Sequence, residues 1–306
     1  TRRCELYSQT VMTEPVQISP YLTPGSTLVQ KRKRPISSLP YMIKGNMPYD
    51  GGYLLMDVTT KNHIVEQDRR VLQYMRRIVG SDEFINGIER WCFWITDDKA
   101  DAALEIPIIK ERADLVRDLR LGKADKSAQR LAAYPYRFRE MHETTTNSLV
   151  IPSVSSENRE YVPVGFVDKK TVVTNLAFVI YDCDPWIFGV VSSKMHNLWI
   201  KAVCGGLETR IRYSSELGYN TFPFPAITDE QKKDIRNCVN QVIAAREEEF
   251  DKTYAQMYKK DEMSDDLRFA HSMLDLQIER CYRDEPFVSD DERLDCLFEL
   301  YEKIGG

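Results

Sequence analysis

From residue 228 onward, apolar positions recur every three or four residues, the spacing that puts side chains on one face of an α-helix. Thr228 with Gln231, and Ser289 with Glu292, have the spacing of a capping box, and Ser264 is suited to cap a further helix. Each cap is followed by an apolar stripe: Ile235, Val239, Val242 and Ala245; Leu267, Leu274 and Ile278; and Leu294, Leu297, Phe298 and Tyr301. The pattern predicts a small bundle of helices whose stripes pack together.

Upstream of this part, two kinds of segment are mixed. Runs rich in β-branched and aromatic residues predict strands at residues 28–29, 149–152, 161–167 and 171–180. Helical spacing predicts helices at residues 64–78, 109–121 and 185–203. Pro223 and Pro225 separate the two parts, because neither residue fits inside a helix or a central strand. We therefore expect an α+β fold, with a mixed α/β domain over residues 1–226 and a helical bundle over residues 227–306.

Composition and charge narrow the class of protein. The chain has no apolar run of membrane-spanning length and its first ten residues do not resemble a signal peptide, so we expect a cytoplasmic protein without membrane contact. It begins with Thr and polar sequence, which we interpret as a piece of a longer protein. Residues 228–306 carry 12 basic and 21 acidic side chains, against 30 and 26 in residues 1–227. A modestly basic body with an acidic tail is compatible with DNA on one face of the body.

The cysteines and histidines do not have the spacing of a metal site or of a disulfide framework. Seven cysteines occur without a Cys-x-x-Cys pair and four histidines are isolated, so neither a disulfide framework nor a metal site is expected. His196 and Trp199 lie in an apolar helical context and are predicted to be core residues. Asp182 and Asp184 have strand spacing, but they are interpreted as part of a solvated turn before a proline.

One tetrapeptide invites a catalytic interpretation. Asn46-Met47-Pro48-Tyr49 differs by one residue from Asn-Pro-Pro-Tyr, the active-site motif with which amino-group DNA methyltransferases hold a flipped base. Such an enzyme also needs a glycine-rich turn for S-adenosylmethionine after the first strand of a doubly wound sheet, and residues 1–45 contain no such turn. The stretch GNMPYDGG at residues 45–52 is therefore interpreted as a compact loop. No catalytic residue is predicted in this chain.

Four segments together resemble one protein family. They are residues 45–52 (GNMPYDGG), 84–92 (FINGIERWC), 151–159 (IPSVSSENR) and 207–225 (LETRIRYSSELGYNTFPFP). They resemble the C-terminal part of the MmeI-like single-chain type II (IIL/IIG) restriction-modification enzymes and their adenine methyltransferase relatives. The resemblance implies that residues 1–226 are a target recognition domain, that residues 227–306 are the C-terminal bundle, and that endonuclease and methyltransferase domains lie upstream.

The resemblance also implies a function. The chain would recognise a short asymmetric site in double-stranded DNA for an adenine-specific methyltransferase, and would be non-catalytic by itself. The partner would be the upstream methyltransferase domain of the same chain, and S-adenosylmethionine would be the cofactor of that parent chain, with none in this part. The alternative is a protein-interaction module whose acidic bundle binds a partner subunit. Steeply salt-dependent duplex binding would favour the first interpretation.

Three charged residues are candidates for reading bases. If residues 207–213 are extended, Glu208, Arg210 and Arg212 fall at period two and share one face. Glutamate accepts a hydrogen bond from cytosine and arginine donates two to guanine, so Glu208 with Arg210 suits one C·G pair. The resemblance supports this, because family members vary at the matching pair. A surface ion pair is the alternative for these two residues, and phosphate contact or a structural role is the alternative for Arg212.

Phosphate contacts are expected from hydroxyl and cationic side chains near predicted turns. Two clusters qualify: one follows a predicted strand and one precedes a helix, where backbone amides favour an anion. They are Ser155, Ser156 and Arg159, and Ser192, Ser193 and Lys194. Helix capping or turn chemistry explains the serines equally well. Residues 31–34 (KRKR) are a further candidate, with a solvated loop as the alternative.

Overall fold

The computed structural model describes residues 6–8, 11–13, 20–21, 27–156, 159–204, 206–207 and 210–305, with the backbone alone at 6–8, 11–13, 155, 206–207 and 210–212. The chain divides into two compact units. The first unit consists of residues 1–43, 151–165 and 183–306, and the second of residues 44–150 and 166–182. The mixed α+β class expected from the sequence is confirmed.

The strands, in chain order over the described residues, are short. They are β1 (Leu6–Ser8), β2 (Val11–Thr13), β3 (Ile43–Lys44), β4 (Leu55–Asp57), β5 (Met75–Val79), β6 (Arg90–Phe93), β7 (Asn147–Pro152), β8 (Val154–Ser156), β9 (Gly165–Asp168), β10 (Val172–Val173), β11 (Ala177–Tyr181), β12 (Gly206–Leu207) and β13 (Arg210–Arg212).

The helices, numbered in the same way, are α1 (Val58–Gln67), α2 (Ser81–Asn86), α3 (Ala100–Leu104), α4 (Pro107–Leu121), α5 (Lys126–Leu131), α6 (Pro185–Ser192), α7 (Lys194–Cys204), α8 (Asp229–Glu247), α9 (Tyr254–Met257), α10 (Asp265–Glu279) and α11 (Asp290–Lys303). Short 3-10 segments occur at Arg69–Tyr74 and Asp97–Lys99, and a π-helical turn at Ser215–Tyr219. No described helix is long and apolar enough to span a bilayer.

Four sheets connect the strands. One is four-stranded, in the order β10-β5-β6-β4, with β5 and β4 antiparallel to β6 and β10 parallel to β5. A second has the order β3-β11-β7-β9, a third is the antiparallel three-stranded sheet β12-β13-β8, and β1 pairs antiparallel with β2. In the second sheet the central strands β7 and β11 are buried along most of their length, so their side chains are covered on both faces.

The second unit has its own apolar core beneath the first of these sheets. Buried residues of β5 and β6 pack with α1 and with the buried face of α4. Ile109, Ala113, Val116 and Arg120 of α4 are buried at helical spacing, which confirms the helix predicted at residues 109–121. Arg120 is the exception to an apolar stripe.

The first unit is built around α6, α7 and the last helices of the chain. Gly189 of α6 is buried, and a Cβ added there would lie 2.5 Å from Ile235 Cγ2, 3.1 Å from Leu274 Cδ1 and 3.2 Å from Val239 Cγ2. Because no side chain projects at residue 189, α8 and α10 approach α6 closely. Trp199 of α7 packs against Phe298 of α11 with ring centroids 5.1 Å apart.

The predicted starts of the three C-terminal helices are confirmed. Thr228, Ser264 and Ser289 are N-caps whose side chains accept hydrogen bonds from the backbone N–H groups of Gln231, Leu267 and Glu292. Each cap satisfies a donor that would otherwise lack an intrahelical partner.

Several predicted boundaries upstream were wrong. Residues 64–78 were expected to form one helix, but α1 ends at Gln67, a 3-10 segment follows, and β5 begins at Met75. The helix predicted at residues 185–203 is two helices, because Ser193 between them has an extended backbone with φ -67° and ψ 156°. Residues 28–29 are not a strand. Strand β7 confirms the strand predicted at 149–152 and extends it.

Candidate nucleic-acid interface

The sheet β12-β13-β8 brings together two candidate DNA-contacting segments that lie about 50 residues apart in the sequence. In the antiparallel register, Arg210 is opposite Ser156, Ile211 is opposite Ser155, and Arg212 is opposite Val154. Positions 210 and 212 lie two apart in an extended strand and so belong to the same face. Glu208 lies outside the described residues. The candidate phosphate segment is therefore the immediate neighbour of the candidate base-reading strand.

Arg159 lies just beyond this sheet edge. Its backbone N–H donates to the Ser156 carbonyl at 3.2 Å, which turns the chain away from β8. The guanidinium group is half-buried and has no hydrogen-bond or ion-pair partner among the described residues. Burial lowers the pKa of Arg159 from its ordinary value, because desolvation disfavours the charged form and no carboxylate opposes it. A half-buried guanidinium with unused donors is suited to bind an anion.

Arg159 and Lys194 line one cavity in the first unit, with a volume of about 220 Å³. Two further cations, Lys201 and Lys260, line the same cavity, together with two acidic side chains, Glu160 and Asp290. Four positive charges around one opening form a surface for anions. We name this opening the cationic cavity. Its complete lining is Arg159, Glu160, Tyr161, Lys194, Asn197, Leu198, Lys201, Lys260 and Asp290.

The carboxylates of the cationic cavity already have partners. Asp290 Oδ1 lies 2.9 Å from Lys194 Nζ and 3.2 Å from Arg293 NH1. Glu160 forms an ion pair with Arg268. Lys194 is 41% exposed and Asp290 is 51% exposed, so solvent screens the pair and makes it weak.

Ser193 is a capping residue and does not face the cationic cavity. Its side chain is fully buried, and its Oγ donates to the Val190 carbonyl at 2.8 Å and accepts from the His196 N–H at 3.2 Å. Of the two interpretations that the sequence allowed for this serine, the structure supports capping and corrects the expected phosphate contact. Ser192 is also buried.

The hydrogen-bond acceptor at the start of α7 belongs to the protein itself. Asp275 of α10 accepts a hydrogen bond from the Lys194 backbone N–H at 2.7 Å and another from the Tyr161 hydroxyl at 2.8 Å. Burial raises the pKa of Asp275 to about 7, against the opposing effect of these two hydrogen bonds. The helix terminus expected to attract a DNA phosphate is therefore occupied by a side chain from the C-terminal helices.

A second buried polar group ties the C-terminal helices to the segment after Arg159. Arg246 of α8 donates to the Val164 carbonyl at 2.8 Å and to the Tyr258 hydroxyl at 2.6 Å. That hydroxyl lies 2.7 Å from His271 Nε2, and the His271 ring stacks on Tyr161 with centroids 4.2 Å apart. Desolvation, with the nearby Arg246 charge adding to it, lowers the pKa of His271 well below its ordinary range, which keeps the ring neutral.

Residues 31–34 form an exposed basic loop whose backbone is anchored. The Arg32 N–H donates to the Glu216 carbonyl at 3.0 Å, and the Arg32 carbonyl accepts from Asn220 Nδ2 at 2.8 Å. The Arg32 side chain donates to the Gly305 carbonyl at 3.2 Å. The side chains of Lys31, Lys33 and Arg34 have no partner among the described residues and stay solvated.

His196 and Trp199 are core residues, as predicted. Both side chains are fully buried. His196 Nε2 lies 2.7 Å from the Tyr213 hydroxyl, and burial lowers the pKa of His196 to about 3. Trp199 Nε1 donates to Thr221 Oγ1 at 3.1 Å. Strand β13 is followed directly by Tyr213, so His196 anchors the end of the candidate base-reading segment.

The Asn46 side chain has no free hydrogen-bonding group with which to hold a base. Its Nδ2 donates to the Val173 carbonyl at 3.2 Å and to the Tyr181 hydroxyl at 3.3 Å, while its Oδ1 accepts from the His142 N–H at 2.5 Å. Only 1% of the residue is exposed. A methyltransferase asparagine must be open to the target amine, so the compact-loop interpretation of residues 45–52 fits this geometry.

Asp182 and Asp184 also have structural roles. Asp182 has φ 49° and its Oδ1 accepts from the backbone or hydroxyl groups of Thr144, Thr145 and Thr146 at 2.8 to 2.9 Å. Burial raises the pKa of Asp182, but these hydrogen bonds outweigh it and the net shift is downward. Asp184 caps α6 and accepts two hydrogen bonds of 2.7 Å from Arg236. Among the described residues, no group of three or more acidic, His or Cys side chains could hold a metal ion.

The comparisons with known proteins agree with one another. The family profile described as "MmeI, target recognition domain" matches residues 24–226, and the profile described as "MmeI, C-terminal domain" matches residues 227–305. The chain is 42% identical over 288 residues to DNA methyltransferase A of Bacillus subtilis (strain 168), an alignment that covers 94% of this chain and 33% of the relative.

A solved structure gives the same result. The type IIL restriction-modification enzyme MmeI, in complex with DNA, matches with a TM-score of 0.89 at 35% identity, over 97% of this chain and 40% of that one. The chain thus spans 33% and 40% of the lengths of these two relatives. With the first family profile alone covering well over half of its residues, the chain belongs to the MmeI target recognition domain family, continued by the MmeI C-terminal domain.

Proposed function

We propose that this chain reads a short DNA sequence on behalf of an adenine-specific DNA methyltransferase of the restriction-modification type. The observation that carries the proposal is the match over 97% of the chain to MmeI, an enzyme solved in complex with DNA. In this proposal, residues of the paired strands β8 and β13 contact the bases, and the cationic cavity contacts the DNA backbone. Phosphate contacts then set the register and base contacts select the sequence.

The base-reading roles belong to Glu208 and Arg210, with Arg212 beside them. Arginine offers a planar pair of donors to guanine O6 and N7, and glutamate accepts from the amine of cytosine. Arg210 and Arg212 stand on the same face of β13, an arrangement that supports joint approach to a groove. Ser155, Ser156, Arg159 and Lys194 are the phosphate contacts of this proposal, and Ser193 is left out because it is buried as a cap.

The domain boundary and the partner follow from the same family. We propose residues 1–226 as the target recognition domain and residues 227–306 as the helical bundle, a division at which the two family profiles meet. The methyltransferase domain would lie upstream in the same polypeptide and would bind the methyl donor S-adenosylmethionine. Residues of the present chain hold and orient the duplex, and the enzyme would be cytoplasmic.

The test is the methylated motif of genomic DNA from cells that express the full-length protein, read by single-molecule sequencing. Wild type is compared with a double variant, Glu208→Lys with Arg210→Asp, which reverses the order of donor and acceptor. We expect the motif to change at one base pair, because the reversed pair suits the reversed base pair. A motif unchanged at every position, with methylation retained, would refute the assignment of these two residues.

Arg159→Gln is the matched control in the same experiment. Loss of a phosphate contact weakens binding to every sequence alike, so methylation should fall without a change of motif. A change of motif in this variant would contradict its phosphate role. Absence of modified adenine even in wild type would instead favour a protein-interaction module.

A further inference from the structure

We propose that the C-terminal domain takes part in DNA binding directly: Lys260 completes a site for one backbone phosphate in the cationic cavity, and Asp290 holds Lys194 until that phosphate arrives. The inference rests on the proposed function and deepens it. It assigns two roles to the C-terminal domain. Lys260 attracts the phosphate, and Asp290 competes with the phosphate for Lys194. The partner is the phosphodiester backbone of duplex DNA.

The cationic cavity is lined from both family domains. Arg159 and Lys194 lie within the match to the target recognition domain, whereas Lys260 and Asp290 lie within the match to the C-terminal domain. All four belong to the same compact unit. The cavity volume of about 220 Å³ is several times the share of one water molecule in liquid water, so it can admit a phosphate group with solvent.

The charges around the cavity are unequally compensated. Arg159 and the Lys260 ammonium have no charged partner among the described residues, and the Arg159 guanidinium is half-buried. Glu160 is neutralised by Arg268, whose NH2 also donates to the Lys260 carbonyl at 3.0 Å. This last contact fixes the backbone of residue 260 at the cavity. Of the four cations that line the cavity, Arg159 and Lys260 thus have no charged partner among the described residues, and Lys194 is engaged by Asp290.

Asp290 can release Lys194 without losing all of its own contacts. Its Oδ1 lies 3.2 Å from Arg293 NH1 as well as 2.9 Å from Lys194 Nζ. Arg293 in turn is fixed by Glu279, with Nε to Oε1 at 2.6 Å. When Lys194 turns to a phosphate, Asp290 still faces Arg293. Breaking the Asp290 to Lys194 pair then opposes every DNA sequence equally.

The experiment measures binding of the full-length protein to two fluorescent duplexes, one with the methylated motif and one without it, over a series of salt concentrations. In Asp290→Asn, Lys194 is free from the start, so both duplexes should bind between about twofold and fivefold more tightly. Asp229→Asn is the matched control. Asp229 likewise follows an N-cap directly and pairs with a cation three residues on, Lys232, but it does not line the cavity.

Lys260→Gln tests the attractive half of the inference. Both duplexes should bind more weakly, and the slope of log affinity against log salt should become less steep by about 1, as for loss of one phosphate contact. Lys233→Gln is the control, because Lys233 is also exposed and belongs to the same domain but lies outside the cavity lining. Thermal unfolding of each variant checks that the fold is intact.

The outcomes separate this inference from the function on which it rests. Tighter binding of Asp290→Asn and a flatter salt slope of Lys260→Gln, with both controls unchanged, support the inference. If wild type prefers the motif duplex and neither variant moves, the inference is overturned and the proposed function stands. A change confined to the motif duplex would place these residues at the bases and also overturns the phosphate site. If wild type binds neither duplex, both fall together.

Discussion

At the scale of single residues, Arg120 decides the shape of the loop that imitates a catalytic motif. It is fully buried on α4, yet its guanidinium donates to five backbone carbonyls, those of Pro48, Tyr49, Leu131, Tyr134 and Arg137, at 2.8 to 3.3 Å. One planar cation with five donors thus satisfies a cluster of carbonyls that would otherwise be buried without partners. Burial lowers the pKa of Arg120, but arginine stays charged in proteins.

We expect Arg120→Met to destabilise the second unit by about 3 kcal/mol or more, because the carbonyls keep their burial and lose their donors. Arg117→Met is the control on the same helix. Arg117 is 42% exposed and pairs with Asp114, so its loss should cost less than about 1 kcal/mol. Urea unfolding of both variants measures the difference, and equal stabilities would contradict the role given to Arg120.

At the scale of elements, the sequence predicted hydrogen bonds at helix starts when the partner is a near neighbour, and missed them when the partner is far away in the chain. Thr228, Ser264 and Ser289 cap their helices through a backbone N–H three residues on, so a short stretch of sequence contains the whole interaction. Helix α7 has a local cap of the same kind in Ser193, but its first N–H, that of Lys194, donates to Asp275, 81 residues later in the chain. No local pattern announces such a partner. One helix was predicted at 185–203 because the helical spacing of apolar residues runs across Ser193.

Strand β5 shows a second limit of local pattern. Residues 75–79 follow an amphipathic helix without a proline or glycine between them. The helical spacing of apolar residues therefore predicted a helix where the structure has a strand. Its partners β6 and β10 decide the outcome, since a central strand is fixed by pairing on both sides.

The candidate site shows the same limit of local pattern. Arg159 and Lys194 were found from their local chemistry, whereas Lys260 and Asp290 become visible only once folding brings them to one cavity.

Asp275 makes the contact between α10 and α7 dependent on pH. Its pKa is raised to about 7 by burial, with the Glu279 charge adding to the shift and Lys194 and Tyr161 opposing it. A raised carboxyl pKa means that the folded state holds the proton longer, so this contribution is complete below about pH 4 and is lost as the pH rises through 7. Asp275→Asn keeps a side-chain oxygen for the Lys194 N–H and removes the titration.

We therefore expect the stability of Asp275→Asn relative to wild type to increase between pH 5 and pH 8, by an amount on the order of 1 to 3 kcal/mol. Urea unfolding of both proteins at the two pH values measures it. Asp184→Asn is the control, because the hydrogen bond from Arg236 lowers the pKa of Asp184 below its ordinary value, so this carboxyl does not titrate between pH 5 and pH 8 and its stability difference should stay constant there. A stability difference that is the same at both pH values would show that Asp275 does not titrate in this range.

At the scale of the whole chain, the family boundary at 226/227 and the compact units divide the protein differently. Helices α8, α10 and α11 belong to the same unit as α6, α7 and residues 151–165. The shared interior includes the close approach at Gly189, the contact of Trp199 with Phe298, and the Arg246 hydrogen bond to the Val164 carbonyl. The acidic C-terminal helices thus support the segment that holds Arg159.

This shared interior predicts that residues 1–226 and 227–306 do not fold well apart. Separation at 226 would expose the apolar faces of α6 and α8, remove the Val164 carbonyl from Arg246, and leave the buried Asp275 without Lys194 and Tyr161. These losses are large for a marginally stable domain. We expect each fragment alone to lack a cooperative thermal transition, and a mixture of the two to regain it. Thermal unfolding followed by circular dichroism measures the transition of each fragment, of the mixture and of the intact chain, and NMR spectra of the backbone amides show whether each fragment is folded. A cooperative transition in isolated 227–306 would show instead that the bundle is an independent domain.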